Sequence, residues 1–246
     1  MNKLIIERKI EKGTFGKVYK GKLGDQRVAV KIINKDLLNK HNINPICEIN
    51  ILKKLHSPHN IKLIKHFEDN NSIYHVLEYV ETDLFKIIQR RNITEDQSLS
   101  YIKNITKGLI YLNLNNIAHF DIKPENILVD KYNKTKITDF GHSTFFDQNS
   151  VFNKLVGTIY YMAPEVLKQS YDYRADIWSL GICYYEMIYK YPPFYVEDDE
   201  KVCYCIVNED IIFHNNFSEK CKNNILKFLN KDVNKRIDFS DILKLI

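Results

Sequence analysis

One segment near the middle of the chain limits what this sequence can fold into. It reads His119-Phe120-Asp121-Ile122-Lys123-Pro124-Glu125-Asn126, and Asp139-Phe140-Gly141 follows it. Asp121 can accept or orient a hydroxyl proton, and Asn126 and Asp139 offer the oxygen ligands that Mg²⁺ prefers. Lys123 adds positive charge where a transferred phosphoryl group needs it. A fold that uses these residues must bring the two segments to one site.

A second group of residues, near the N-terminus, has the character of a polyphosphate site. In the run Ile10-Glu11-Lys12-Gly13-Thr14-Phe15-Gly16-Lys17-Val18, two glycines let backbone amides approach a phosphate chain, although a surface hairpin would have a similar sequence. Lys31 follows the apolar run Val28-Ala29-Val30 and could reach the α and β phosphates. Glu48, on a predicted helix, could hold that lysine in place.

Hydrophobic patterning divides the chain into a strand-rich first third and a mainly helical remainder. Runs rich in β-branched residues predict strands over 4–10, 18–23, 28–33, 61–67 and 73–79. Apolar residues at helical spacing predict one helix among them, over 46–55. Capping residues and apolar spacing predict later helices from Thr94 to Leu112, over 176–189 and over 218–229. We place a hinge between two lobes near 78–82.

Composition excludes several classes of protein. A chain of 246 residues with 44% apolar residues can build one large domain or two small lobes, and a net charge of +5 is too small to imply a nucleic-acid partner. Apolar runs are too short for a membrane-spanning helix, and the N-terminus lacks signal-peptide features. Five cysteines without metal or redox spacing favour reduced thiols. We expect a cytoplasmic monomer, with nuclear access possible and no membrane partner.

Taken in order, these residues resemble the catalytic domain of eukaryotic protein kinases of the Ser/Thr type. The resemblance extends from Ile10 to Arg236 and includes Ala163-Pro164-Glu165 and Asp176-Ile177-Trp178. It implies an α+β, bilobal protein kinase fold over 1–246. The small β-rich N-lobe, with one helix, would cover 1–80, and the larger, mainly α-helical C-lobe would cover 83–246. It also implies ATP with Mg²⁺, for which Mn²⁺ can substitute, and a protein substrate with a Ser/Thr acceptor.

The resemblance implies a role for each matching residue. Asp121 would be the catalytic base, with Lys123 and Asn126 beside it, and Asn126 and Asp139 would bind the metal. Leu77 would be the gatekeeper, the backbone of Glu78 and Val80 would meet adenine, and Asp83 would bind the ribose. The full set of nucleotide-binding residues would be Ile10, Gly13, Gly16, Val18, Ala29, Lys31, Glu48, Leu77, Glu78, Val80, Asp83 and Leu128.

Further contacts follow from the same resemblance. Glu165 should pair with Arg236 in the C-lobe. An apolar stack that aligns the lobes should contain Leu52, Leu63, His119 and Phe140. Thr158 should bond to Asp121 and Lys123, and this feature, together with Lys123 itself, is typical of enzymes that act on Ser and Thr.

The sequence departs from the family pattern in its regulatory residues. Phe120 replaces the arginine that usually precedes the catalytic aspartate, and Lys154 stands at the usual phosphosite of the activation segment. Because the phosphate acceptor and its receptor are both missing, we expect a segment that needs no phosphate there. The ring of Phe120 would pack against the segment instead. Modification of Ser143, Thr144 or Ser150 is the alternative.

Other departures and alternatives concern ATP, substrates and extent. Glu11 replaces the first glycine of the loop, and its carboxylate would either weaken ATP binding or, as we expect, point to solvent. A pseudokinase scaffold is the alternative function, but the set of catalytic residues, Lys31, Glu48, Asp121, Asn126 and Asp139, is complete. A small-molecule kinase is a further alternative, and the presence of Thr158 and Ala163-Pro164-Glu165 argues against it. Glu125 and Glu186 lie where basophilic kinases hold substrate arginines, which predicts a basic substrate context. The sequence is either a minimal kinase or a domain cut from a longer protein.

Overall fold

The N-terminal part of the chain folds as a five-stranded antiparallel sheet. The structure is a computed structural model that describes residues 3–13, 16–40, 45–147, 149–214 and 218–245. The strands are β1 (Leu4–Lys12), β2 (Gly16–Leu23), β3 (Gln26–Asn34), β4 (Leu63–Glu68) and β5 (Ser72–Glu78), and they lie in the order β1-β2-β3-β5-β4. All the strands predicted for this part are present with shifted ends. Thr14 and Phe15, in the glycine loop, lie outside the described residues.

Two helices connect β3 to β4. The predicted helix is present as α2 (Ile46–Lys54) and carries Glu48 on its buried face. The sequence did not predict the short helix α1 (Lys35–Lys40). The side-chain oxygen of Asn34 accepts a hydrogen bond from the backbone of Leu37 at 3.0 Å, which caps the first turn of α1. A helix this short shows too little hydrophobic periodicity to be recognised in a sequence.

Short strands lie where the N-terminal sheet meets the helical part. They are β6 (Thr82–Asp83), β7 (Ile117–Ala118), β8 (Ile127–Val129), β9 (Thr135–Ile137) and β10 (Thr144–Phe145). β6, β8 and β9 form one small antiparallel sheet, and β7 pairs with β10. Since β8 follows the segment of Asp121 and Asn126 while β9 precedes Asp139, their pairing brings the two polar segments together.

The remainder of the described chain is mainly helical. Its helices are α3 (Leu84–Arg90), α4 (Glu95–Leu114), α5 (Pro164–Leu167), α6 (Ala175–Tyr189), α7 (Asp199–Asn208), α8 (Glu219–Phe228) and α9 (Phe239–Leu245). The predicted capping box is present, because Thr94 accepts from the backbone of Gln97 and Gln97 accepts from the backbone of Thr94. The predicted β-rich N-lobe and helical C-lobe are confirmed.

Helix α6 forms the centre of the helical lobe. Nearly every residue in it is buried, including Trp178 and Tyr184. Gly181 lets α6 approach α8 closely, because a Cβ atom at Gly181 would lie 2.6 Å from the Cβ of Phe228. A buried helix of this kind is a rigid base for the loops that leave it. None of the helices in the described ranges is both long and apolar enough to cross a membrane.

The predicted ion pair between Glu165 and Arg236 is present. Arg236 Nη2 lies 2.9 Å from Glu165 Oε2, and the arginine side chain has no exposed surface. The guanidinium also donates to the backbone oxygens of Arg174 and Asn230, and it lies 5.3 Å from the ring centroid of Trp178. Its donors are therefore directed to partners inside the fold, as burial of a charge requires.

Candidate active site

The loop that carries Asp121 is anchored by a side chain at the start of helix α6. The Asp176 carboxylate accepts hydrogen bonds from the backbone N–H groups of His119 and Phe120, each at 2.7 Å. Burial raises the pKa of Asp176 to about 7, while these two bonds favour its charged form. Phe120 has a φ of 62°, a left-handed conformation that is rare for an aromatic residue. The anchored backbone holds this strained residue immediately before Asp121.

Asp121 is the centre of a hydrogen-bond network. Thr158 Oγ1 donates to Asp121 Oδ1 at 2.9 Å, and Lys123 Nζ donates to Thr158 Oγ1 at 2.7 Å. Asp121 Oδ2 lies 2.9 Å from Asn126 Nδ2 and 3.0 Å from Lys123 Nζ. The predicted contacts of Thr158 are therefore present. The network holds the carboxylate, a cation and a hydroxyl in one fixed arrangement, as general base chemistry requires.

Lys31 lies between two carboxylates. Its Nζ atom is 2.6 Å from Glu48 Oε1 and 2.7 Å from Asp139 Oδ1. Burial opposes the charge of Lys31, but the two carboxylates outweigh it and raise the lysine pKa above its usual value. Lys31 in turn holds the pKa of Asp139 well below its usual range. The predicted partner of Lys31 is thus in place, and Asp139 joins the same cluster.

The donor atoms of Asn126 and Asp139 fit a magnesium ion. Asp139 stays ionised and its side chain is 47% exposed. The amide nitrogen of Asn126 donates to the backbone and carboxylate of Asp121, so the carbonyl oxygen is the atom of this side chain that can face an ion. Within the described ranges, no cluster of three His, Cys, Asp or Glu side chains could hold a metal by itself. A Mg²⁺ ion needs only one or two ligands from the protein, because it keeps waters and phosphate oxygens in the rest of its coordination shell.

The predicted nucleotide residues line up along the strands. Val18 lies opposite Lys31 on neighbouring strands, and Ala29 lies opposite Leu77. Leu128 lies opposite Asp83 in the small sheet. Gly13 and Gly16 flank the tip of the β1–β2 hairpin, where the Gly13 N–H donates to the Gly16 carbonyl at 2.9 Å, and the exposed Ile10 precedes it on β1. The hairpin and the small sheet thus supply two sides of one predicted site.

Glu11 is exposed at the end of β1, but it is not remote from the other polar residues. Partial burial and the negative charges of Asp139 and Asp83 raise its pKa. Because Glu11 is exposed while these charges still act on it, the carboxylate lies at the open edge of the site. The exposure of Glu11 agrees with the expectation that its side chain points to solvent, and its effect on ATP binding stays a prediction.

Some predicted nucleotide residues already have partners in the structure. Asp83 caps helix α3 by accepting from the Lys86 backbone at 2.8 Å, and it pairs with the Lys86 ammonium at 2.5 Å. The Glu78 N–H donates to the Lys62 carbonyl at 3.0 Å, and its side chain pairs with Lys136. Leu77 is buried beside this segment. A ribose would have to share Asp83 with Lys86, and adenine would have to use the carbonyl of Glu78.

The residues of the predicted stack belong to the same region of the core. Leu52 and Phe140 lie in the main apolar cluster, and Leu63 packs against it. His119 is fully buried, and its ring centroid lies 5.1 Å from that of Phe140. Its Nε2 atom lies 3.0 Å from the carbonyl oxygen of Thr138. His119 therefore links the segment of Asp121 to that of Asp139.

The activation segment, residues 143–163, packs on the segment of Asp121 as predicted. The Phe120 ring meets Phe152 and Tyr171, with centroid distances of 4.9 and 5.1 Å. Ser143 is buried, and its hydroxyl donates to the His119 carbonyl at 3.2 Å. Ser143 is therefore a poor candidate for modification, which narrows the alternative to Thr144 and Ser150.

Glu125 and Glu186 lie in a buried acidic environment. Burial raises the pKa of Glu186 to about 7, and its carboxylate accepts a 2.6 Å hydrogen bond from Tyr161. Burial also raises the pKa of Glu125, whose Oε2 atom has no hydrogen-bond partner in the described part of the chain. An unpartnered buried carboxylate oxygen is costly unless a ligand supplies the donor.

Sequence reasoning missed the contributions of Phe152, Tyr171 and His75. An isolated aromatic residue in an irregular segment has no periodic pattern, so the pairing of Phe152 with Phe120 had no signal. Tyr171 lies just before the conspicuous α6 segment and was not singled out. His75 is completely buried on β5, directly opposite Lys31. Its place in the apolar run Ile73 to Leu77 was a usable signal for burial near the site.

Comparisons with known proteins agree with this geometry. A family model described as protein kinase domain matches residues 4–245. Calcium-dependent protein kinase 3 of Plasmodium berghei (strain Anka) is 39% identical over 98% of this chain and 45% of its own length. Calcium-dependent protein kinase 5 of Plasmodium falciparum (isolate 3D7) is 36% identical over 96% of this chain and 43% of its own length.

A third relative matches this chain over a smaller share of its own length. The serine/threonine-protein kinase TIO of Arabidopsis thaliana is 34% identical over 93% of this chain but over 18% of its own length. The chain thus spans less than half the length of each of these relatives. The match nevertheless covers the sheet, Lys31, the segment of Asp121 and the helical lobe. The chain therefore belongs to the protein kinase domain family, among relatives that are named serine/threonine and calcium-dependent protein kinases.

Proposed function

We propose that this chain is a serine/threonine protein kinase that transfers the γ-phosphate of Mg-ATP to protein hydroxyls. The observation that carries the proposal is the complete network of Asp121, Lys123 and Thr158, with Lys31, Glu48 and Asp139 nearby. We assign the N-lobe to residues 1–80, the hinge to 78–82 and the C-lobe to 83–246. A scaffold that only binds partners has no need of this arrangement.

The chain's own residues account for the proton and the charge in this reaction. The substrate hydroxyl oxygen forms a bond to the γ-phosphorus, the bond to the β–γ bridging oxygen breaks, and ADP leaves. The hydroxyl proton passes to Asp121, whose carboxylate Thr158 and Asn126 orient. Lys123 and Lys31 offset the negative charge. Asn126 and Asp139 would hold Mg²⁺ or Mn²⁺, which supplies further charge neutralisation of the phosphates.

We also propose that the kinase needs no phosphate on its activation segment. Phe120 is apolar and cannot donate to a phosphate, and Lys154 is exposed and cannot be phosphorylated at the usual position. The aromatic contacts of Phe120 provide a different reason for the segment to stay folded.

Phosphoryl transfer by phosphate-free protein tests both proposals. Purified protein is treated with phosphatase, intact mass verifies that no phosphate remains, and transfer to peptides is measured with Mg-ATP. We expect transfer to Ser/Thr peptides. Asp139→Asn should abolish it, whereas Asp147→Asn, an exposed aspartate of the same segment, should not. Loss of activity that returns on rephosphorylation of Thr144 or Ser150 would contradict phosphate independence. ATP binding without any transfer would favour the pseudokinase.

The acidic pair Glu125 and Glu186 supports a finer proposal about substrates. A guanidinium provides several donors in a fixed fork and matches a carboxylate with a free oxygen. Glu125 Oε2 is buried without a hydrogen-bond donor in the described residues. One carboxylate oxygen of Glu186 accepts a hydrogen bond from the Tyr161 hydroxyl. We therefore propose that preferred substrates carry an arginine near the acceptor hydroxyl.

A further inference from the structure

Three aromatic residues from different segments meet beside Asp121. The centroid of the Phe120 ring lies 4.9 Å from that of Phe152 and 5.1 Å from that of Tyr171, with interplanar angles of 72° and 80°. Phe152 and Tyr171 also contact each other at 5.8 Å. Edge-to-face geometry at these distances is the favourable arrangement of aromatic rings. We call this cluster of Phe120, Phe152 and Tyr171 the aromatic lock.

Backbone hydrogen bonds tie the same residues together. The Phe152 N–H donates to the Tyr171 carbonyl at 2.8 Å, and the Tyr171 N–H donates to the Phe152 carbonyl at 3.1 Å. The Tyr171 hydroxyl donates to the Lys154 carbonyl at 2.6 Å. Phe120 and Tyr171 are buried, with 8% and 4% of their surface exposed. The activation segment is therefore held at residue 152 and again at residue 154.

A short chain of contacts leads from the lock to the catalytic network. A Cβ atom at Gly157 would lie 2.5 Å from the Phe120 carbonyl oxygen, so the segment touches the Phe120 backbone as well as its ring. Gly157 has a φ of 92°, which favours glycine. The next residue, Thr158, donates to Asp121 Oδ1. A shift of the segment at Phe152 therefore moves the groups that orient Asp121.

We infer that Phe152 is a positioning residue for phosphoryl transfer and that the aromatic lock does here what a phosphate–arginine pair does in other kinases. The inference rests on the proposed function. The activation segment then stays folded because apolar surface is buried, and this burial depends little on salt or phosphate. Phe152 thereby has a role although it lies outside the catalytic motifs.

The test compares variants that keep an apolar side chain. Phe152→Leu and Phe120→Leu remove one ring each, and the double variant removes both. Val151→Ala, at a neighbouring residue that is 68% exposed, is the matched control. The measurements are kcat and KM for ATP and peptide, the melting temperature, and the rate at which trypsin cuts after Lys154. Trypsin reports opening of the segment without any need for kinase activity.

For Phe152→Leu we expect kcat to fall by about 100-fold, because a misplacement of about 1 Å has that effect on oriented groups. KM for ATP should change less than about twofold, since none of the predicted nucleotide-binding residues belongs to the lock. Cleavage after Lys154 should be faster by about tenfold, as loss of a ring pair allows. The double variant should lose little more than either single variant, because both act through one contact.

Two results would overturn the inference. One is wild-type kcat in Phe152→Leu, with peptide phosphorylation by the wild type established. The other is a cleavage rate after Lys154 equal to that of Val151→Ala. If the wild type phosphorylates no peptide, the proposed function fails, and the cleavage rates still decide whether the lock holds the segment. A purely structural role would lower the melting temperature and leave kcat of the folded protein unchanged.

Discussion

Lys31 on β3 lies directly opposite His75 on β5, and neither ring nitrogen of this buried histidine has a partner in the described residues. Burial, Lys31 and His66 together lower the pKa of His75 to about 3. The ring is therefore neutral beside the charged lysine. A second positive charge there would compete with Lys31 for Glu48 and Asp139. A neutral His75 leaves both carboxylates to the lysine.

His75 makes the fold sensitive to acid. The folded pKa of about 3 lies below the ordinary 6.5, so the unfolded chain binds a proton first and stability falls as the pH decreases below 6.5. Between pH 7.5 and 5.5 we expect His75 to account for a loss of about 1.4 kcal/mol in the free energy of unfolding. Urea unfolding of wild type and His75→Met at both pH values measures it.

The His75→Met variant should lose less stability on acidification than the wild type, by about that amount. Burial also lowers the pKa of three other histidines, His59, His66 and His119. They are present in both proteins, so their contributions to the pH dependence of stability cancel in the comparison. His56→Met, at an exposed residue, is the control and should lose as much as the wild type. An equal loss in His75→Met and wild type would show that His75 does not carry the effect.

Replacement of Lys31 by methionine should separate folding from catalysis. Methionine has a similar length but no charge, so the fold should remain while charge stabilisation at the phosphates is lost. We expect kcat/KM to fall by about 100- to 1000-fold, as removal of one such donor does in other active sites. Lys22→Met, on an exposed strand position, is the control. Full activity in Lys31→Met would refute the role assigned to Lys31.

Glu125→Gln should weaken the preference for arginine-containing peptides. A charge-assisted bidentate contact is lost, and we expect the ratio of kcat/KM between a peptide with arginine and its alanine counterpart to fall by about tenfold. Glu219→Gln, an exposed glutamate on α8, should leave the ratio unchanged.

The same ratio should depend on pH through Glu186. Its pKa of about 7 means that the carboxylate gains a proton as the pH falls through 7, and a neutral acid attracts arginine less. The preference at pH 6 should therefore be weaker than at pH 8. Selection of proline or acidic residues with no basic preference would reject the proposed substrate class.

Arg236→Ala should destabilise the helical lobe strongly. It leaves the Glu165 carboxylate, whose side chain is only 13% exposed, without its cation, and loss of one partner of a buried pair costs about 3–5 kcal/mol. Thermal unfolding should show a clearly lower melting temperature. Lys244→Ala removes an ion pair whose side chains are 75% and 58% exposed, and it should change the melting temperature little. Equal effects of the two variants would mean that the buried pair is not structurally important.

Contacts between the charged and polar residues of the family motifs were the best predicted part of the molecule. The Lys31–Glu48 pair, the Thr158 contacts and the Glu165–Arg236 pair all join residues that are far apart in sequence, and all are present. These contacts could be predicted because the residue types and their order along the chain match the family pattern. The roles proposed for them in nucleotide binding and catalysis stay predictions.

Local geometry and long-range packing were less predictable. Strands of two residues such as β6 and β7 show no alternation. Helix α3 begins at Leu84, and the residue that caps it, Asp83, was interpreted only as a ribose contact. Phe152 meets Phe120 because Tyr171 pairs with the segment, a contact set by tertiary structure. Sequence reasoning could place Phe120 against the segment but could not name the residue on the other side.

A lysine at position 154 leaves an upstream kinase nothing to phosphorylate there and a phosphatase nothing to remove. A segment held by aromatic rings is folded as soon as the chain itself has folded. Under the proposed phosphate independence, the rate of phosphoryl transfer would follow the number of molecules present and the local concentration of substrate. Control would then have to act on the amount of the protein or through a partner that covers the cleft.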